Sequence, residues 1–338
     1  MGPMAYTYPR ELRRTLRSGN SFRAAADLPG PGKAWHEGRS PMGLLRAVVL
    51  GLVQGITEFL PISSTAHLRI APELFGWQDP GAAFDAIIQL GTVAAVLVFF
   101  RRDIVQLFRA WVEGLQRRDL LGTTESRLAW FVLVGTLPVV VLGFVFKHAI
   151  ETSLRSLYVV ASSMIVLALL LAAAEWTARH SRRLDDLNWT DGWVIGLWQA
   201  LALIPGSSRS GTTLTGGLWR GLRREDAARY SFLLSIPATT AAGLFELRHL
   251  RHASTPFTGA ELLVAAVVAF ASGMLAIGGL LRYLRTRTTL VFVVYRLALG
   301  GLLLALLHAG RLRPDAGLDE GAAHPPVAGA AAAERVRP

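Results

Sequence analysis

The sequence predicts an all-α integral membrane protein of about six transmembrane helices plus two re-entrant helix-loop-helix hairpins, arranged as an inverted repeat. Three observations predict it. Apolar residues fall in blocks of roughly 17 to 22 instead of amphipathic stripes, as spanning helices require. Two further apolar stretches are broken in the middle by polar and helix-breaking residues, and these two stretches resemble each other. The 338 residues are 52% hydrophobic, with a mean hydropathy of +0.39.

In chain order, residues 1–42 carry Arg10, Arg13, Arg14, Arg17, Arg23 and Lys33 among Gly and Pro. They lack the short charged-then-apolar pattern of a signal peptide and read as a flexible basic extension. A membrane domain follows over 43–308, with repeat one over about 43–176 and repeat two over about 192–308. Its candidate spans are Phe84 to Phe100, Ala129 to Lys147, Leu157 to Trp176, Tyr230 to Leu247, Glu261 to Leu281 and Thr289 to His308. Each is long enough to cross about 30 Å of hydrocarbon at 1.5 Å per residue. Residues 309–338, rich in Pro, Gly and Ala, cannot bury enough apolar surface to order themselves. The net charge of +11 would suggest nucleic acid in a soluble chain, but the arginines crowd the ends of apolar blocks, so a membrane explains them better and no nucleic acid is expected. There is no cysteine, which excludes disulfide and thiolate chemistry.

The broken stretches are Leu44 to Phe75 and Trp193 to Trp219, interrupted at TEFLPISSTAH and LIPGSSRSGTT. Pro61, Pro205 and Gly206 break helices there. Irregular backbone at membrane depth persists only where protein or a water-filled cavity satisfies its polar groups, so each stretch is drawn as a re-entrant hairpin. GLVQGITEFLPISS from Gly51 runs parallel to GLWQALALIPGSS from Gly196. Gln54 matches Gln199, and a one-residue slip then matches Pro61 to Pro205 and Ser63-Ser64 to Ser207-Ser208. One hairpin plus three spans per unit is an odd number of crossings, so the second copy is inverted. Arginines concentrate in one set of connections (Arg101 to Arg127, Arg179 to Arg183, Arg220 to Arg229, Arg282 to Arg287), which is expected to be cytoplasmic; the opposite set has Lys147, Arg155, Arg248 and Arg251.

Ionisable residues at membrane depth are costly and usually face a cavity. By position these are Glu58, His67, Arg209 and Arg296, with Asp85 near a span end; Asp85 and Arg296 read equally well as structural ion pairs or snorkelling groups. The second loop suits an anion. Gly206 and Gly211 flank a turn with exposed N–H groups, a helix restarts after it, and Arg209 can grip phosphate with two prongs while Ser207, Ser208, Ser210 and Thr212 add donors. No GxxxxGK[ST] occurs, so nucleotide hydrolysis gets no support. In the first loop Ser64 and His67 are three apart and can meet on one helical turn, while Gln54 and Glu58, four apart, share a face. His67 could activate a serine or a water, and Glu58 could orient the histidine or hold a divalent cation. Ser63, Ser64 and Thr65 read either as phosphate donors or as groups that satisfy a broken helix.

At these residues the chain closely resembles the undecaprenyl-diphosphate phosphatase family associated with bacitracin resistance, from about Leu44 to Leu307. The family's [E/Q]xxxE motif is present as Gln54 to Glu58, PxSSTxH as Pro61 to His67 and PGxSRSG as Pro205 to Gly211; FDAIIQLG, AARYSFLLSIP and YRLALG are also similar. The resemblance implies a multi-pass protein of the bacterial inner membrane that hydrolyses undecaprenyl diphosphate to the monophosphate, recycling the lipid carrier of cell-wall synthesis. It implies a divalent cation, Mg or Ca, and the roles of acid for Glu58, histidine for His67, nucleophile or phosphate-binding serine for Ser64 and arginine for Arg209. Gln at 54 leaves Glu58 as the one carboxylate of a metal clamp, so metal affinity would rest partly on the substrate's phosphates.

The rival class is a transporter or flippase for an anionic lipid, since inverted repeats with broken helices also build transporters. An anion channel or phosphate-binding scaffold is a third. A Ser-His-Glu set facing an arginine loop favours catalysis. Oligomeric state is open, a second copy of the chain included.

Overall fold

The computed structural model describes residues 41–77, 80–249 and 255–315. The expected basic extension and C-terminal tail lie almost wholly outside the described residues. The described residues from Leu44 onward form one compact unit, and among the described residues no strand occurs.

Among the described residues the α-helices are α1 Pro41–Phe59, α2 Ser64–Phe75, α3 Gly81–Phe99, α4 Arg101–Gln116, α5 Thr124–Val145, α6 Lys147–Glu151, α7 Leu157–Thr177, α8 Trp189–Ala200, α9 Arg209–Trp219, α10 Arg224–His249, α11 Gly259–Leu284 and α12 Leu290–His308. Each expected span coincides with one helix, α3, α5, α7, α10, α11 or α12, overrunning it by at most two residues. By length and hydropathy α5, α7, α11 and α12 can cross a membrane, and the α3–α4 pair, bent by 72°, makes up to a fifth. The expectation of about six is therefore met by four or five on this criterion. Helix α10 is long enough, but Ser231, Ser235, Thr239 and Thr240 dilute its apolar character. Large side chains such as Phe144, Leu275 and Val294 lie exposed on these helices, which suits a lipid-facing surface.

The segment carrying Arg101, Arg102, Arg109 and Arg117 is not a plain connection. It forms α4, whose Phe108, Trp111 and Trp130 of α5 stack along one side. Alternating charged and apolar residues at helical spacing are what an interfacial helix needs.

Packing follows the repeat. Helices α7 and α12 pack together, as do α3 and α10, each pairing an element with its counterpart; α8 packs on α5, and α1 approaches α11 in the same manner. Gly51 and Gly196 mark that shared contact: a Cβ on Gly51 would stand 2.6 Å from the Ala265 carbonyl oxygen of α11, and one on Gly196 would stand 2.6 Å from the Gly135 carbonyl oxygen of α5. Only glycine allows backbones so close.

Helix α1 breaks after Phe59 and restarts as α2 at Ser64; α8 breaks through a 3₁₀ turn, Leu201–Leu203, and restarts as α9 at Arg209. The capping residues are Ser63 (φ 75°) and Ser208 (φ 67°), whose hydroxyls accept from the amides of Ala66 and Gly211 respectively. Ser63 and Ser208 are 145 positions apart, as are Gly51 and Gly196, and Gln54 and Gln199. The expected one-residue slip is therefore absent. The slip aligned the prolines, but the backbone feature that repeats is the serine cap, so Ser64 corresponds to Arg209 and Pro61 to Gly206.

Candidate active site

The two broken segments meet. Ser210 of α9 donates its hydroxyl to the Leu60 carbonyl of the first loop at 3.0 Å, and Arg209 Nη2 lies 3.4 Å from Glu58 Oε1. Between them is a cavity of about 160 Å³ lined by Glu58, Ser64, Thr65, Gln89, Gly206, Ser208, Arg209 and Thr239, among others.

Glu58 is its hub. Its Oε2 accepts from Ser64 Oγ at 2.8 Å and from Gln54 Nε2 at 3.4 Å, while Oε1 faces Arg209. Gln54 Nε2 also reaches Gln89 Oε1 at 2.8 Å. Arg209 is further held by the Ser231 carbonyl at 3.3 Å, its Nε carrying no hydrogen-bond partner. With Nη1 on the Ser231 carbonyl and Nη2 facing Glu58, each terminal nitrogen keeps a second N–H for an anion. Both short helices also begin here, and the first-turn amides that the caps leave unpaired are natural donors to phosphate oxygens.

The structure assigns other residues to holding this frame. Ser207, expected among the phosphate binders, is fully buried and donates to the carbonyls of Leu201 and Ile204. Its hydroxyl is consumed by the turn. Thr212 is spent on the Arg209 carbonyl at 2.9 Å, and Ser208 Oγ shares a contact with Ser210 Oγ at 3.2 Å besides capping α9. Gly206 adopts φ 90° and packs its α-carbon against Val160 and Ser163, where no side chain fits. Arg296, wholly buried, donates through Nη2 to the carbonyls of Ser207 and Gly206 at 2.9 and 3.4 Å; of the two readings left open, it buttresses the second loop. Asp85 is exposed and lies outside the cavity.

His67 departs most from expectation. It does not meet Ser64, nor does Glu58 orient it. Its Nδ1 contacts the Ser63 carbonyl at 2.7 Å, so it carries the proton there, and Nε2 contacts the Tyr295 hydroxyl at 2.6 Å, with the two rings stacked at 5.6 Å. Three-residue spacing permits contact on a helix but does not impose it, and the backbone carbonyl four residues earlier is a nearer acceptor. Gln89 and Tyr295 complete the polar set, and sequence reasoning missed both as site residues. Gln89 lies in FDAIIQLG and Tyr295 in YRLALG, where a polar group within an apolar helix was the available signal.

A divalent cation needs oxygen donors. Among the described residues no group of three His, Cys, Asp or Glu could hold one. Glu58 nevertheless offers a carboxylate, and Gln54 Oε1 is buried without a hydrogen-bond partner beside it. Hard oxygen donors of this kind fit Mg or Ca when phosphate oxygens and water fill the remaining positions.

Known proteins are similar to this chain over most of its length. A family profile described as bacitracin resistance protein BacA matches residues 47–302. An undecaprenyl-diphosphatase of Myxococcus xanthus is 68% identical over 278 residues, covering 82% of this chain and 94% of its own. Those of Chlorobaculum tepidum and Chlorobium luteolum are 54% and 50% identical over 282 residues each, covering 81% of this chain and 100% of theirs.

Proposed function

The chain belongs to the bacitracin resistance protein BacA family, and from that premise we propose how its site acts as an undecaprenyl-diphosphatase. The activity itself is hydrolysis of undecaprenyl diphosphate to undecaprenyl phosphate and inorganic phosphate in the bacterial inner membrane, an enzyme's task and not a transporter's. It returns the lipid carrier to cell-wall synthesis, which gives the family its link to bacitracin.

The single observation that carries the mechanism is the chain Ser64–Glu58–Arg209, in which a hydroxyl, a carboxylate and a guanidinium touch in sequence at one cavity. Ser64 Oγ attacks the terminal phosphorus while Glu58 Oε2 takes its proton. The bond from that phosphorus to the bridging oxygen breaks, and its electron pair leaves with undecaprenyl phosphate. Glu58 yields its proton to the departing phosphate oxygen and is a carboxylate again; water then attacks the phosphoserine phosphorus as Glu58 takes one of its protons, the Oγ–P bond breaks, Ser64 Oγ recovers that proton from Glu58, and inorganic phosphate departs. Arg209 and the amides at the starts of α2 and α9 bear the charge that develops on the phosphoryl oxygens. Thr65 and Ser208 line the same space and supply secondary donors. His67 is a positioning group, since both its nitrogens are engaged by Ser63 and Tyr295. A divalent cation, Mg or Ca, would be held by Glu58 and Gln54 and would neutralise diphosphate charge. Every group named comes from one chain, so a homodimer is not required.

Ser64→Ala tests the covalent step. The variant should lose all but a trace of turnover, and acid quenching of the wild type during hydrolysis should trap phosphate on Ser64. Retention of more than about a tenth of the rate would exclude the serine as nucleophile, because loss of a nucleophile costs far more than that. A one-carboxylate clamp also predicts that a chelator weakens substrate binding, measured as KM.

A further inference from the structure

The broken segment of the second repeat has an apolar flank. A cavity of about 480 Å³ opens beside it, bounded by Leu142 and Phe146 at the end of α5, Val194 and Trp198 on α8, and Leu201 and Ile204 in the turn. No charged side chain lines it. Ile204 also lines the cavity that holds Glu58, Ser64 and Arg209, so the apolar groove and the phosphate site adjoin at that residue.

The repeat shows what makes the groove. At the spacing of 145, Ile204 corresponds to Phe59. Phe59 is only 1% exposed, meets Phe232 edge to face at 5.6 Å, and reaches α11 so closely that a Cβ on Gly273 would stand 2.9 Å from its ring. The matched position in the first half thus carries a ring buried in the core, where the second half carries a smaller, branched side chain that lines the groove. Leu197 and Phe146 at the groove's margin are more than half exposed, so it opens on the surface that faces lipid.

We propose that this groove receives the isoprene units of the substrate nearest the diphosphate, and that Ile204 is the threshold between headgroup and chain. This rests on the undecaprenyl-diphosphatase reading above. The terminal isoprene is bonded directly to the diphosphate, so with phosphate at Ser64 and Arg209 the chain must start at the cavity wall. The groove offers apolar surface on the other side of that wall, at Ile204. Its volume lies within the ~300–1,000 Å³ of ordinary ligand sites, enough for the first few units and not for a full C55 chain, the rest of which would run into the bilayer.

Val194→Trp fills the groove from α8 without touching the headgroup site; Leu52→Trp places the same ring at the position on α1 that corresponds to Leu197. With undecaprenyl diphosphate, Val194→Trp should raise KM by roughly ten-fold or more with kcat little changed, since lost burial of several carbons affects ground and transition states alike. Leu52→Trp should leave KM within about two-fold. A farnesyl diphosphate analogue with a photoreactive group on its second isoprene should crosslink to α5 and α8 in the wild type. Undecaprenyl diphosphate should compete that label away, and Val194→Trp should lose it. Equal KM for both tryptophan variants, crosslinks on α1, or labelling of α5 and α8 that undecaprenyl diphosphate does not displace, as when an ordinary membrane lipid fills the groove, would each overturn the proposal. Wild-type protein that releases no phosphate from undecaprenyl diphosphate would instead overturn the activity on which it rests.

Discussion

The loop after α1 and the loop after α8 enter their second helices in the same way, through a serine held at positive φ whose hydroxyl caps the new helix. The residue that follows the cap is Ser64 in one and Arg209 in the other. Five residues before the cap stand Glu58 and Leu203; four after it, His67 and Thr212. One backbone frame, used twice, therefore carries hydroxyl, carboxylate and imidazole on one side and fixed positive charge on the other. The two starting helices open onto one cavity, lined by Ser64 and Thr65 of one and Ser208 and Arg209 at the start of the other, so both N-termini can supply donors to it. The comparison teaches that symmetry builds the anion site while its violations build the chemistry and the apolar groove.

The sharpest way to break this division of labour is to degrade the charged side alone. Arg209→Lys keeps the charge but replaces a planar fork, held by Glu58 and the Ser231 carbonyl, with a point ammonium. Turnover is expected to fall by roughly 10²–10³-fold, the cost of losing a preorganised donor to the developing oxyanion. Phosphate release assayed at saturating substrate checks it. A lysine enzyme within about ten-fold of wild type would mean that the second loop supplies only bulk positive potential and that the fork geometry is irrelevant.

Much of this frame was legible in the sequence, for identifiable reasons. Apolar blocks report spans directly because the bilayer fixes their length, so α5, α7, α11 and α12 fell where expected. Pro61, Pro205 and Gly206 marked the breaks, and the costly charges Glu58 and Arg209 marked the site. What could not be read was which polar groups touch. Ser207 and Ser210 look alike in PGSSRSG, yet one is spent on its own turn and the other joins the two loops. The direction of a side chain at a break depends on backbone torsions that residue types do not encode. The register of the repeat failed for the same reason: prolines are conspicuous letters, whereas a positive-φ serine is invisible until the backbone is seen.

A smaller effect separates His67 from its matched position. Tyr295→Phe removes the hydroxyl at Nε2 but keeps the stacked ring, so it probes the hydrogen bond alone. A positioning role predicts a loss of about ten-fold or less in kcat/KM, the equivalent of one neutral hydrogen bond. If His67 were instead the general base for water, freeing its Nε2 should preserve or raise the rate, and His67→Ala should cost roughly 10²–10⁴-fold. Thr212, the counterpart of His67, is spent on the Arg209 carbonyl, so Thr212→Val should change activity less than His67→Ala does.

The smallest expected effect tests the frame itself, because it asks whether the two caps are the same object. Ser63 and Ser208 sit at φ 75° and 67°, a region that costs an L-residue of order 1–3 kcal/mol. Each offsets part of that cost with its hydroxyl, which accepts an amide at 3.4 Å in the first loop and 3.2 Å in the second. Replacing either by Ala keeps the strain and removes the cap, for a loss of roughly 0.5–2 kcal/mol. Replacing either by Gly removes the cap but relieves the strain, so the glycine variants should be at least as stable as the alanine ones. Ser208 has one additional partner, the Ser210 hydroxyl, which should make Ser208→Ala the worse of the pair by no more than about 1 kcal/mol. Melting temperatures of the four variants in one detergent provide the comparison. A shared frame requires the same alanine-to-glycine order in both loops. Should Gly rescue one loop and further destabilise the other, the positive-φ serines would be unrelated local solutions and the spacing of 145 residues a coincidence of sequence.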